Sequence, residues 1–499
     1  MSQTHRLSHE LLCLIFQCFC PHCRGELEWP HWAEPEELQV VHEQGTSALF
    51  NLCLVSRQFR DIAQDILHHQ FDPHYTRSRS PNSPNSWARR LEPFLRTIAT
   101  RPDLASSVKA AILRGPLIES LDFWDSRDAY EHCASAFGTN LSELWEQRRK
   151  GFPKLVNLHH RARQAFFTWK RQKSNSLVKH GYISIVTSEL LTMLVALLPN
   201  LRHLRVEDGY CPMRYAFDIS TEIISSLGIT RLPLKILDIN RPLKMLLSLT
   251  PDLETLVSHF FGKFPQLPSV KTLRIRAEER LNSILIQQRL DACTGHLSEF
   301  SYTNISVREY GGDERDIMDL LDQERFYATL KSIHLDLRHQ IPPGHTLDMR
   351  GMPSFERFTH LETLFLTTYS IYNTRQHRLN SELLIIILPP SIRSLTLVDH
   401  DKPVPPDRLA DGLLALADSK PTRFKQLKEV RCDSKEACND DLLIRMCERH
   451  GIDFGYQEFP RECWSYSRLP LPFQASDVPS NRSFSYPRLL PGELSDEDL

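Results

Sequence analysis

LLPNLRHLRV, residues 197–206, decides how the second half of this chain folds. From Leu201 an apolar residue is followed by two others and then by apolar-x-apolar. The same spacing returns as LKILDI at Leu234, LETLV at Leu253, VKTLRI at Val270 and LSEFSY at Leu297. It returns again as LKSIHL at Leu330, LETLFL at Leu361, IRSLTL at Ile392 and LKEVRC at Leu427. Alternation at the end of each unit turns successive side chains to opposite faces of a short strand, so each unit has one apolar strand face. Turns carrying Pro or an aromatic precede several of them, as in LLPN, LTPD, LPPS and FTH. Intervals of 17 to 35 residues, several near thirty, leave room for a helix or loop that returns the chain to the next strand. No single unit covers its own apolar face, so the units must stack.

This spacing resembles the leucine-rich repeat, whose strand signature is LxxLxL. The resemblance implies an α/β solenoid over residues 201–462, with the open strand face as a broad surface for a target protein. The intervals are unequal, and the inward asparagine usual after the strand is mostly missing, so the solenoid is expected to be irregular. An ordinary α/β domain with several parallel strands is the alternative.

The whole chain has 499 residues, enough for two or three cores. Hydrophobic residues make up 41% and charged residues 24%, a globular composition. Sixty Lys and Arg against sixty-two Asp and Glu leave a formal charge of -2, which argues against a nucleic acid or anionic lipid as partner. The opening residues lack a secretory pattern, and the stretch LLCLIFQCFC is too short to span a bilayer, so a cytoplasmic or nuclear protein without a membrane anchor is expected. No GxG, GxxxxGK, GxSxG or HExxH occurs, which removes several phosphate-binding, hydrolase and metalloprotease classes.

Residues 7–19, LSHELLCLIFQCF, form a helix pattern apolar nearly all round: Leu7, Leu11, Leu14 and Cys18 on one stripe, Leu12, Ile15, Phe16 and Phe19 over much of the rest. A short helix follows in SALFNLCLV. Ser56 then caps a third, with Phe59, Ile62, Ala63, Ile66 and Leu67 at helical spacing. A unit this small buries only about 60% of its unfolded surface, so it cannot hide both sides of its first helix.

LSHELLCLIF followed by LFNLCLVSRQFRDIAQDIL resembles the F-box, a leucine-rich helix with Glu-Leu-Leu and then a Leu-x-Leu-Val-Ser-Arg-x-Phe-Arg segment. FLRTIATRPDL further resembles the segment that often follows the F-box in fungal members. The resemblance implies docking on the Skp-type adaptor of an SCF ubiquitin ligase and, through it, on a cullin. It places Leu7, Leu11, Leu12, Ile15, Leu54, Val55 and Ser56 at or beside the adaptor, with Phe59, Ile62 and Leu67 inside the unit. Ser8 stands where the family usually has proline, and a serine also starts a helix well. The spacer 20–46 is longer than usual, and its EWPHWAEPEE reads as a surface loop.

CFCPHC, residues 18–23, offers three thiols and an imidazole. Cys20 and Cys23 have the spacing of half a zinc site, with His31 and His42 as distant candidate ligands across the insertion. As a redox motif CPHC would precede a helix whose N-terminus activates the first thiol, whereas here it follows one. The expectation is therefore that these thiols end a buried helix, with no metal and no cofactor.

The organisation expected is an F-box over 5–71, a Ser- and Pro-rich linker over 72–90 with Ser-Pro steps at Ser80 and Ser83, and a helical bridge over 91–200. The repeats at 201–462 and a Pro- and Ser-rich tail ending acidic at 463–499 complete it. The functional expectation is a non-catalytic substrate receptor of an SCF-type ligase. A repeat scaffold outside ubiquitination and a zinc or redox protein using Cys18, Cys20, His22 and Cys23 are the alternatives.

Overall fold

In the computed structural model all nine returns of the motif are strands, β3 (His203–Val206), β4 (Ile236–Ile239), β5 (Thr255–Ser258), β6 (Thr272–Ala277), β7 (Glu299–Asn304), β8 (Ser332–Asp336), β9 (Thr363–Thr367), β10 (Ser394–Val398) and β11 (Glu429–Cys432). The structure describes residues 7–25, 36–73, 90–113, 117, 123–138, 176–206 and, with short breaks, 218–459. Two further strands precede these, β1 (Gln70–Phe71) and β2 (Ala110–Leu113), and one follows, β12 (Asp453–Tyr456).

The twelve strands form one sheet in sequence order, each parallel to the next. A doubly wound α/β domain reverses its strand order at a switch point. Here the order never reverses, so the chain coils in one direction, as a solenoid does.

Register explains the motif. Its fourth position makes a continuous column across the sheet, Leu204 beside Leu237, then Leu256, Leu273, Phe300, Ile333, Leu364, Leu395 and Val430. All nine are buried in one core, together with the first-position residues from Leu201 to Leu427. Each fully buried Leu contributes about 1.5–3 kcal/mol of transfer free energy. On the edge, one carbonyl per strand accepts two N–H groups from the next. Lys109 O takes Arg202 and His203, Arg202 O takes Lys235 and Ile236, and the pattern continues to Arg393 O, which takes Lys428 and Glu429.

The sheet starts earlier than the motif does. Residues 91–200, read from sequence as a helical bridge, hold β2 among the helices α4 (Leu91–Thr100), α5 (Pro102–Ser107), α6 (Phe123–Ala136) and α7 (Ser176–Leu197). The small Ala110 and Ala111 give β2 no leucine signature, yet its four residues are all buried. The tail 463–499 lies outside the described residues, as do Ser80 and Ser83.

Among the described residues, three helices stand before β1, α1 (His9–Gln17), α2 (Glu36–Val55) and α3 (Arg57–Leu67). The Ser8 hydroxyl accepts from Leu11 N at 3.3 Å, and the Ser56 hydroxyl from Phe59 N at 3.1 Å, so both serines act as N-caps. α2 begins inside the segment read as an inserted loop, making the second helix far longer than SALFNLCLV alone suggests. It comes close to the end of α1 at Gly45, where an added Cβ would collide with the carbonyl oxygen of Phe19. Leu12, Phe16, Cys20, Leu49, Ile62, Ala63 and Ile66 form a small core separate from that of the sheet. The rings of Phe16 and Phe59 meet edge to face at 5.3 Å.

Candidate functional site

Helical spacing turns Leu11, Leu14 and Ile15 away from Phe16 and the small core, and these three are exposed, as is Leu7 just before the Ser8 cap. On α2, Phe50, Leu54 and Val55 are exposed as well, Leu54 at 68%. Eleven large hydrophobic side chains are exposed among the described residues, and these seven lie within residues 7–55. Single exposed apolar residues are ordinary, whereas a concentration of them marks an interaction surface.

Of the residues assigned to the adaptor contact, Leu7, Leu11, Ile15, Leu54 and Val55 are exposed, and Ser56 stands beside them as the cap of α3. Leu12 requires a correction. It is only 6% exposed and packs with Phe16 in the small core, because it lies on the flank of α1 that meets α3. Sequence reasoning left out Leu14 and Phe50, although Leu14 shares the Leu7–Leu11 stripe and Phe50 precedes Leu54 by one helical turn.

The strand face opposite the leucine column carries charge. Asp238 on β4 lies 3.3 Å from Arg205 Nε, 2.9 Å from His259 Nε2 and 3.8 Å from Arg276 Nη1. Burial would raise its pKa, but the charges of Arg205, His259 and Arg276 outweigh burial and hold it well below the usual carboxylate range. Farther along, Arg338 pairs with Asp336 through Nε at 2.9 Å and Nη2 at 2.6 Å, while Nη1 donates to Phe459 O at 2.7 Å. The Phe459 ring stands edge-on to Phe365 at 5.6 Å, so the chain covers part of this face itself. Beside it, His334 is held neutral by burial, its pKa far below the ordinary imidazole value.

A second constellation lies behind the apolar helices. The turn after α1 brings Cys20, His22 and Cys23 together, and His69 joins them from the residue before β1. The four ligand atoms lie within 4.8 Å of one another. Cys23 Sγ is 3.2 Å from His69 Nδ1 and 3.9 Å from His22 Nδ1. Cys20 and His69 are buried, and His22 and Cys23 partly so. The hydrogen bond from the Cys23 thiol lowers the pKa of Cys20, and the same bond together with burial raises that of Cys23.

Cys18 stays outside this group, its thiol directed at Leu14 O at 3.4 Å. His31 and His42, the distant imidazoles considered from sequence, lie outside the residues whose side chains are described. His69 was missed because it is 46 residues from Cys23, and spacing within a motif carries no information about a partner so remote.

No family model matches this sequence, and no curated protein does. Among solved structures it is similar to the leucine-rich-repeat-containing protein LegL7 from Legionella pneumophila, with a TM-score of 0.30 and 14% identity, covering 75% of this chain and 93% of that one. So distant a likeness adds nothing to what strand order and register establish. No described helix is long and apolar enough to cross a membrane.

Proposed function

We propose that this protein is a non-catalytic substrate receptor. Its amino-terminal helices dock on the Skp-type adaptor of an SCF-type ubiquitin ligase, and its parallel-strand solenoid holds a target protein. The observation that supports this reading most is the set of seven exposed apolar side chains, Leu7 before α1 and six on α1 and α2, on residues whose order resembles the F-box. Apolar anchors of this kind form the centre of stable interfaces, and each fully buried one contributes about 1.5–3 kcal/mol.

The mechanism is positional. The adaptor and its cullin would hold the ubiquitin-loaded enzyme near a target bound to the solenoid, raising the effective concentration of target lysines. No acid, base or nucleophile is required of this chain. The compartment consistent with the role is cytosol or nucleus.

Reconstitution with adaptor, cullin and charged ubiquitin-conjugating enzyme tests the reading. Incorporation of wild type into the cullin complex, with transfer of ubiquitin to proteins retained by the solenoid, is expected. A protein that bound through the solenoid and never entered the cullin complex would instead be an interaction scaffold, the second reading that the parallel repeat sheet favours.

A further inference from the structure

We propose that Cys20, His22, Cys23 and His69 hold one zinc ion as a structural clamp between the amino-terminal helices and the first strand of the sheet. This inference is independent of the adaptor proposal. Zinc takes thiolate sulfur at about 2.3 Å and imidazole nitrogen at about 2.0–2.1 Å in tetrahedral array, which sets neighbouring ligand atoms roughly 3.3–3.8 Å apart. The 3.2 and 3.9 Å separations from Cys23 Sγ to the two imidazoles fall within about 0.1 Å of either end of that range, and the whole group lies within 4.8 Å.

His69 carries a separate sign of a ligand. While Nδ1 faces Cys23, Nε2 lies 3.6 Å from Asp65 Oδ2, and the Ser107 hydroxyl donates to the other oxygen of that carboxylate. A carboxylate this close to the far nitrogen favours the tautomer with its proton there and leaves the near nitrogen's lone pair for a ligand, the arrangement that supports metal-bound histidines. Two thiols and two imidazoles are a common structural zinc set. Four protein ligands leave no position for substrate, so the ion would not be catalytic. Binding would send the thiol protons to solvent and leave two thiolates on the metal.

The position explains the need. Seven buried side chains form the small core of the amino-terminal unit, apart from the core of the sheet. A unit so small is commonly stapled by a metal or disulfide. His69 also begins the edge ladder, since its carbonyl accepts Lys109 N at 2.9 Å and Ala110 N at 3.0 Å. One residue would therefore join the metal through its ring and the sheet through its backbone, fixing the end of α1 relative to β1 and β2.

Elemental analysis of the full chain, expressed with zinc and purified without chelator, tests the clamp. One zinc per chain is expected in wild type and in Cys18→Ser, and less than about one tenth of that in Cys23→Ser and in His69→Leu. Because those two variants could fail to fold, X-ray absorption on the wild type is the second arm, and it should show two sulfur and two nitrogen neighbours. Zinc-free wild type, a different ligand set, a Cys20–Cys23 disulfide seen by mass after alkylation, or full zinc in His69→Leu would each overturn the assignment.

Discussion

Two neighbouring leucines on α1 divide the work of that helix. Leu12 is buried in the small core, and Leu14 is 60% exposed. Leu12→Ala should therefore cost about 2–5 kcal/mol in urea unfolding, the range for a core truncation. Leu14→Ala should stay within roughly 0.5 kcal/mol, the range for a surface change. Equal costs would mean that the face of α1 has been misassigned. Asp238 makes a different kind of prediction, because its pKa is lowered in the fold. A carboxylate with a depressed folded pKa contributes stability above its unfolded value, near 3.9, and loses the contribution as pH falls through the folded value. The stability gap between wild type and Asp238→Asn should shrink as pH falls below about 4. A gap that widens below about pH 4 would contradict the pairing with Arg205, His259 and Arg276.

At the scale of the element, α2 and its glycine decide how the first helix is held. Alanine in place of a mid-helix glycine normally gains about 1 kcal/mol from propensity. At Gly45 the new methyl would meet the Phe19 carbonyl, backbone that cannot rotate away, and overpacking of this sort costs about 1–3 kcal/mol. Gly45→Ala should thus lower the melting temperature, and a rise would show that α1 and α2 are not packed this closely. The nine repeat strands were legible because each places apolar residues at the first and fourth positions, and all but LETLV a third at the sixth, and sheet register reads that spacing directly. β1 and β2 were not, since two residues and a pair of alanines leave no periodicity to find. Ser8 and Ser56 were readable as caps from chemistry alone. The length of α2 was hidden by the prolines and acidic residues before it, and the sidedness of α1 by its being apolar all round, which put Leu12 on the wrong face.

Across the whole molecule, the chain joins a small helical unit with an open apolar surface to a long parallel sheet with a closed leucine core. His69 illustrates why part of the candidate site escaped the sequence. Its partners Cys20 and Cys23 sit three residues apart, whereas the contact that completes the cluster arises only when α3 runs back alongside α1 to deliver the chain to β1. The exposed faces of α1 and α2 were predicted in kind, since a unit of that size cannot bury so much apolar surface, and five of the residues expected there are exposed. The central claim is that this surface, and not the solenoid, docks on a Skp-type adaptor. Sedimentation velocity with the purified adaptor tests it most directly. Wild type and Leu442→Asp, altered at an exposed leucine near the far end of the sheet, should each sediment as a one-to-one complex, while folded Leu14→Asp plus Leu54→Asp should sediment alone. A wild type that stays free, or a double variant that still binds, would contradict it.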